Sequence, residues 1–134
     1  MMSHSPALLQ IGELAQRAGV SHRTIHYYER IGLLRPAERE GAGYRYYDEQ
    51  AVLRLEKIAA LKNLGLSLEE IGQVIDLYFD HPGGIKGKEQ VLKILEAQLQ
   101  ATRGKLLEMQ AFERDLMANI ARMKALLDEA RQQA

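Results

Sequence analysis

The longest regular feature of this sequence is a proline-free stretch, from about Lys88 to Arg131, in which apolar residues recur at alternating spacings of three and four. That alternation is the heptad signature of a coiled coil, and a helix of this length would extend roughly 66 Å. The rest of the chain is too small to cover such a seam, so the pattern predicts pairing with a second copy. The predicted dimerisation residues are Leu92, Leu95, Leu99, Leu106, Met109, Leu116, Ile120, Met123 and Leu127, with the polar Thr102 and Glu113 in the same register. Phe112, Met117 and Leu126 widen the apolar stripe and are expected to touch a globular domain as well.

Two short helical patterns near the N-terminus predict a helix-turn-helix. In the first pattern, apolar residues share one helix face and a glycine follows them: Ile11, Leu14, Ala15, Ala18 and Gly19. Ser21 is a good N-cap for a second helix that runs to about Ile31 and ends at Gly32. Two short helices joined by a glycine-containing turn are typical of DNA-binding helix-turn-helix units.

A small β-hairpin, or wing, is expected next. Gly41 and Gly43 permit a tight reversal, and the alternation from Tyr44 to Tyr47 favours a short strand. Two further helices should follow. Asp48 can cap a helix over about residues 49–64, and Ser67 with Glu70 forms a capping box for a helix that reaches about residue 78.

These patterns predict a mainly α fold, a winged helix-turn-helix domain followed by a long dimerisation helix. The predicted divisions are a flexible arm over residues 1–10, a DNA-binding domain over 11–80, a linker over 81–87 and a coiled-coil helix over 88–134. The linker is marked by His81, Pro82 and two glycines.

Composition excludes several classes of protein. The 18 Lys and Arg residues balance the 18 Asp and Glu residues, and the chain contains no cysteine, which excludes disulfides and thiolate chemistry. No catalytic motif or nucleotide-binding glycine loop is present, so we predict neither an enzyme nor a cofactor. His22 and His26 are four residues apart and could share a metal, but they lie on the predicted DNA-reading face, and we predict no metal site.

Basic and aromatic residues are concentrated locally despite the zero net charge. From Arg17 to Arg45 there are six arginines against three acidic residues, an excess of 6 − 3 = +3. On the second helix His22, Arg23, His26 and Arg30 share a face that a major groove could accept, with Arg23 the leading candidate for a base contact. Other candidate contacts to the DNA backbone or minor groove are Thr24, Tyr27, Tyr28, Arg39, Tyr44, Arg45 and Lys62. One of the paired tyrosines could equally be a core residue with a satisfied hydroxyl.

Three ordered segments carry a resemblance to a known family. The segments LQIGELAQRAGVSHRTIHYYERIGLLRP, GYRYY and LKNLGLSLEEIGQVI resemble the MerR family of bacterial transcriptional regulators. The resemblance implies two winged-helix domains joined by an antiparallel coiled coil. It also implies DNA contacts at Arg23, Thr24 and Tyr28, wing contacts at Arg39, Tyr44, Arg45 and Tyr47, and a phosphate contact at Lys62. Such a homodimer would bind double-stranded promoter DNA and act on RNA polymerase by distorting the spacer between promoter elements.

Two departures from the family pattern bear on function. His26 stands where the family usually has arginine, which weakens one charge-assisted contact. The chain ends at Ala134 without the cysteines or the drug-binding domain of family sensors, so sensing of thiol-bound metals or large drugs is not expected. A small-molecule effector could bind near Tyr78, Phe79 and His81, although these residues could simply pack a hinge.

Two other functions remain open at this point. The long helix could engage a different protein, or the winged domain could serve a recombination or phage accessory factor that bends DNA. The sequence shows neither a signal peptide nor a membrane span, so a cytoplasmic protein is expected.

Overall fold

A computed structural model describes residues 8–35, 38–40 and 44–134, and for strand residues 38–40 and 44–45 it describes the backbone. The elements are α1 (Ile11–Ala18), α2 (His22–Arg30), β1 (Glu38–Glu40), β2 (Tyr44–Tyr46), α3 (Glu49–Asn63), α4 (Leu68–Asp80), a 3-10 turn (Pro82–Gly84) and α5 (Ile85–Gln133). This confirms the predicted fold class, a winged helix-turn-helix followed by a long helix.

The helix-turn-helix forms where the local signals place it. Gly19 ends α1 in the left-handed conformation, with φ of 70°, which a side chain would strain. The Ser21 hydroxyl caps α2 by accepting a hydrogen bond from the backbone N–H of Thr24 at 3.0 Å. Leu14 of α1 and Ile25 of α2 are completely buried, so the two helices meet through their apolar faces.

The wing is a two-stranded antiparallel ladder. Its register pairs Glu38 with Tyr46, Arg39 with Arg45, and Glu40 with Tyr44. Leu9 extends this arrangement by exchanging two backbone hydrogen bonds with Tyr47, at 2.6 and 2.7 Å. Leu9 is buried, which corrects the prediction of a loose arm at this residue, while residues 1–7 lie outside the described part of the chain.

Helices α3 and α4 complete the core beneath α1 and α2. Asp48 caps α3 by accepting a hydrogen bond from Ala51 N–H, and the predicted capping box of Ser67 and Glu70 is present at the start of α4. The largest side chains that are fully buried lie mostly on these two helices: Leu14, Ile25, Leu55, Ile58, Leu61, Ile71, Val74 and Ile75. The buried face of α2 packs on this core, and the residues of its opposite face are exposed.

Helix α5 begins at Ile85, three residues before the predicted start at Lys88. Gly83 and Gly84 turn the chain with φ of 71° and 64°, and helical geometry resumes directly after them. Residues up to Ile94 belong to one compact unit and Leu95–Ala134 form a second. In the first unit, Gly84, Gly87 and Val91 are buried, so the opening turns of α5 pack as part of that unit.

Helix α5 is 49 residues long, and charged residues recur along it. Within the described ranges, no helix combines the length and the apolar character needed to span a bilayer.

Candidate nucleic-acid interface

Helix α2 presents a polar face opposite its buried one. Ile25 and Tyr28 point into the core, whereas Arg23, His26 and Arg30 are exposed. Arg23 and His26 make no hydrogen bond or ion pair within the described part of the chain. Both therefore have their donors available at the N-terminal half of a helix, which is the part that reaches base edges in a major groove.

The two adjacent tyrosines of α2 have different environments. Tyr27 is 42% exposed, and the Arg30 guanidinium lies 5.6 Å from the centre of its ring. Tyr28 is only 5% exposed, with its ring 6.2 Å from that of Tyr27. Tyr28 is therefore the core residue of the pair and Tyr27 the surface residue, a choice that the sequence pattern left open.

The Tyr28 hydroxyl nevertheless remains at the surface. No buried side-chain oxygen or nitrogen lacks a partner among the described residues, and the Tyr28 hydroxyl has no partner there, so it must contact solvent. Tyr28 and the exposed Lys62 of α3 line the same shallow recess of about 160 Å³. Tyrosine hydroxyls and lysine ammonium groups both donate hydrogen bonds to phosphate oxygens.

Tyr47 is not placed as the resemblance implies. It is 3% exposed, and its hydroxyl donates a hydrogen bond to the carboxylate of Glu29 on α2. Its backbone is paired with Leu9. The structure thus buries the Tyr47 side chain and bonds it to the last turn of α2, whereas the resemblance implies a wing contact at this residue.

The strand register of the wing gives the positions of the other predicted wing residues, Arg39, Tyr44 and Arg45. Arg39 and Arg45 occupy facing positions of the ladder, and Tyr44 faces Glu40.

Two arginines that sequence reasoning missed hold the surrounding helices in place. The Arg17 guanidinium of α1 donates a bidentate pair of hydrogen bonds to the Glu49 carboxylate of α3, at 2.5 and 2.9 Å. This hydrogen bond holds the pKa of the Glu49 carboxyl below its ordinary value and raises the pKa of Arg17. Arg54 of α3 donates to the Leu33 carbonyl at 2.5 Å and to Asp76 at 2.7 Å. These partners are 21 to 32 residues apart, so no local spacing could have indicated them.

The apolar seam of α5 lies open in the single chain. Eight of the nine predicted dimerisation residues are between 44% and 70% exposed, and Leu95 is half-buried. Exposure of this extent in a continuous apolar stripe is typical of an interaction surface.

Comparison with known proteins identifies the family. A model of the MerR HTH family regulatory protein matches residues 9–77, and a model described as MerR, DNA binding, matches residues 52–119. The chain belongs to the MerR family.

Individual MerR proteins are similar to the chain in sequence and in structure. The transcriptional regulator HmrR of Rhizobium leguminosarum bv. viciae is 37% identical over 108 residues, which are 81% of each chain. The structure resembles that of the transcription regulator PbrR691 from Ralstonia metallidurans CH34 in complex with lead(II), with a TM-score of 0.65, 34% identity and coverage of 81% of this chain and 82% of that one. It also resembles EcmrR in the EcmrR–DNA complex of EcmrR-RPo, with a TM-score of 0.53 and 29% identity. The match covers 79% of this chain and 38% of that one.

The matched MerR relatives are regulators rather than enzymes, as the sequence predicted. The chain spans between 31% and 54% of the length of the first three curated relatives that it matches. Within the described residues of this MerR chain, no group of three or more His, Cys, Asp or Glu side chains could hold a metal ion.

Proposed function

We propose that the chain acts as a homodimeric, sequence-specific regulator in the cytoplasm, in which α2 of each copy reads the major groove of promoter DNA. The observation that carries this proposal is the face of α2, where Arg23 and His26 are exposed and make no hydrogen bond or ion pair among the described residues. Arg23 is the residue for direct base contact, because arginine can bond to two guanine acceptors at once.

His26 is the second base-edge candidate on that face. It has fewer hydrogen-bond donors than arginine, so it supplies a weaker contact than the arginine usual in the family. A site with a different base preference at that position is the expected consequence.

Backbone contacts would fix the position of α2 in the groove. Tyr28 and Lys62 line one recess, and Thr24 lies near the capped end of α2 with its hydroxyl 2.9 Å from that of Ser21. The exposed Tyr27 could add a further hydroxyl, while Arg39, Tyr44 and Arg45 would bring the wing to the neighbouring phosphates.

The seam of α5 supports a dimer. Two copies related by a two-fold axis would place two α2 helices on one duplex and favour a pseudo-palindromic operator. Bending of the DNA between the two half-sites would realign promoter elements for RNA polymerase, with the deformation energy offset by the wing and backbone contacts.

A small-molecule effector would have limited space in the winged helix-turn-helix domain. The Tyr78 ring packs against Gly84 and Gly87, which supports the hinge-packing interpretation of this residue. A recess of about 510 Å³ near Phe79, lined also by Leu34, Tyr46 and Arg54, is one space among the described residues that could accept such a ligand.

The proposal is tested by fluorescence anisotropy with a duplex from the promoter of the protein's own gene and a scrambled duplex of equal length. Arg23→Ala should weaken specific binding roughly 5- to 150-fold, equivalent to about 1–3 kcal/mol, with the dimer intact. Arg122→Ala, which removes the same charge from an exposed position on α5, is the matched control and should leave the discrimination unchanged. Equal preference for the two duplexes in the unmodified protein would contradict the proposal.

The role of the dimer is tested separately. Leu106→Lys places a charge in the middle of the seam and should convert the protein to a monomer in multi-angle light scattering, with loss of tight DNA binding. A dimer that survives this change would show that α5 pairs through another face.

A further inference from the structure

Two polar residues interrupt the apolar seam of α5. Thr102 and Glu113 occupy seam positions. The remaining seam positions from Leu92 to Leu127 are all apolar. Both are exposed in the single chain, where the Thr102 hydroxyl donates to the carbonyl of Gln98 at 2.8 Å. A polar residue in a coiled-coil seam costs stability and fixes the alignment of the helices, so these two residues restrict how a second copy can pair.

Several alignments are unfavourable for Glu113. In a parallel pair it would face its own copy, and two carboxylates would repel each other. In an antiparallel pair shifted by one heptad in either direction it would face Met109 or Leu95, and Thr102 would face Ile120 or Leu106. Each of those alignments leaves a carboxylate in an apolar layer without a hydrogen-bond donor, which is costly.

We propose that α5 pairs with a second copy in the antiparallel register that places Thr102 against the partner's Glu113, twice by symmetry. This inference rests on the homodimer of the proposed function and adds its register. The other layers between Leu92 and Met123 are then apolar: Leu92 with the partner's Met123, Leu95 with the partner's Ile120, Leu99 with the partner's Leu116, and Leu106 with the partner's Met109. At the end of the seam, Leu127 faces the partner's Lys88.

The facing groups have complementary chemistry. A threonine hydroxyl in a lone helix bonds to the carbonyl four residues earlier, and it can rotate to donate to a facing carboxylate instead. The Glu113 carboxylate, which accepts hydrogen bonds, thereby gains a donor at the seam.

The positions beside the seam agree with this register. Arg103 lies next to the partner's Gln110, and Lys105 next to the partner's Phe112, so no like charges meet there. The Phe112 ring is 63% exposed in the single chain, and a lysine ammonium over its face would cover it with a cation–π contact. A second copy of the chain is therefore a complementary occupant for this stripe.

Disulfide cross-linking tests the register, because the chain contains no cysteine of its own. The variant Leu99→Cys/Leu116→Cys should form a covalent dimer on mild oxidation, since facing layers bring side chains within disulfide range. Leu99→Cys/Met123→Cys and Leu99→Cys/Met109→Cys report the two shifted registers, which are displaced by roughly 10 Å along the axis. The single variant Leu99→Cys reports a parallel pair. We expect the first variant to cross-link at least about tenfold faster than the other three, because the competing pairs lie outside disulfide range.

A charge-swap experiment gives a readout that does not depend on disulfide geometry. Thr102→Asp places a second carboxylate against the partner's Glu113 and should raise the Kd of the dimer roughly tenfold or more. Adding Glu113→Lys should restore it. Within one helix these positions are about 16 Å apart, so the rescue must act between chains.

Each result separates the register from the proposed function. Faster cross-linking of a control variant, or no rescue by Glu113→Lys, would overturn the register while leaving a dimeric regulator intact. A monomer at all concentrations in light scattering would overturn both the register and the proposed dimer.

Discussion

The two glycines inside α5, Gly87 and Gly104, should respond oppositely to the same substitution. Replacing a helix-interior glycine by alanine stabilises a protein by about 0.8–1.0 kcal/mol when nothing obstructs the new methyl group. Around Gly104 no atom lies within 4 Å of the added Cβ, so Gly104→Ala should show this gain. At Gly87 the Cβ would lie 2.6, 2.7 and 2.9 Å from three atoms of the Tyr78 ring.

The Tyr78 ring has little room to retreat from that methyl group. It is also near Gly84, whose added Cβ would lie 3.0 Å from it, and the Lys57 ammonium lies 4.4 Å from the ring centre. Overpacking of this kind costs about 1–3 kcal/mol. Because the helix-propensity gain is common to both variants, the difference between their free energies of unfolding measures the clash, and we expect about 1–3 kcal/mol in favour of Gly104→Ala.

The measurement is urea unfolding followed by circular dichroism, at one total protein concentration because dimer stability depends on concentration. In a Tyr78→Ala background, the cost of Gly87→Ala should disappear and the propensity gain should return. Equal stability of Gly87→Ala and Gly104→Ala in the unmodified background would refute the reasoning, since it would mean that the ring does not confine Gly87.

Two further predictions concern the helices behind the candidate interface. Tyr47→Phe removes the hydroxyl that bonds to Glu29 and should lower the free energy of unfolding by about 1–2 kcal/mol in the same assay; unchanged stability with a loss of DNA affinity would instead favour the direct contact that the resemblance implies. Glu49→Gln removes the carboxylate that accepts from Arg17. The pKa of Glu49 is lowered in the folded protein. The stabilisation by the ionised Glu49 is therefore present above the unfolded pKa of about 4.3 and is lost as the pH falls through the folded pKa. The thermal midpoints of Glu49→Gln and the unmodified protein should therefore differ at pH 7 and converge at low pH, whereas a gap that stays constant with pH would show that the pair has no ionic character.

The sequence alone predicted the elements whose signals are local. Ser21, Asp48 and Ser67 cap α2, α3 and α4 as expected, because an N-cap side chain bonds to backbone groups only three residues away. The long helix was equally readable, since its heptad pattern repeats along the chain. Its start was missed by three residues, because helical geometry begins directly after the left-handed Gly83 and Gly84, at Ile85.

At the candidate interface the sequence determined which residue types lie on α2 and the wing, while tertiary structure decided which of them reach the surface. Tyr27 and Tyr28 are neighbours of identical type, and only the packing of α2 on the core separates the exposed ring from the buried one. Tyr47 bonds to Glu29 across 18 residues, and Arg17 bonds to Glu49 across 32. Such contacts depend on how distant segments come together in the folded core, which no helix or strand period encodes. Local hydrogen bonding therefore specifies the elements from sequence, whereas burial and long-range pairing select the residues available to bind.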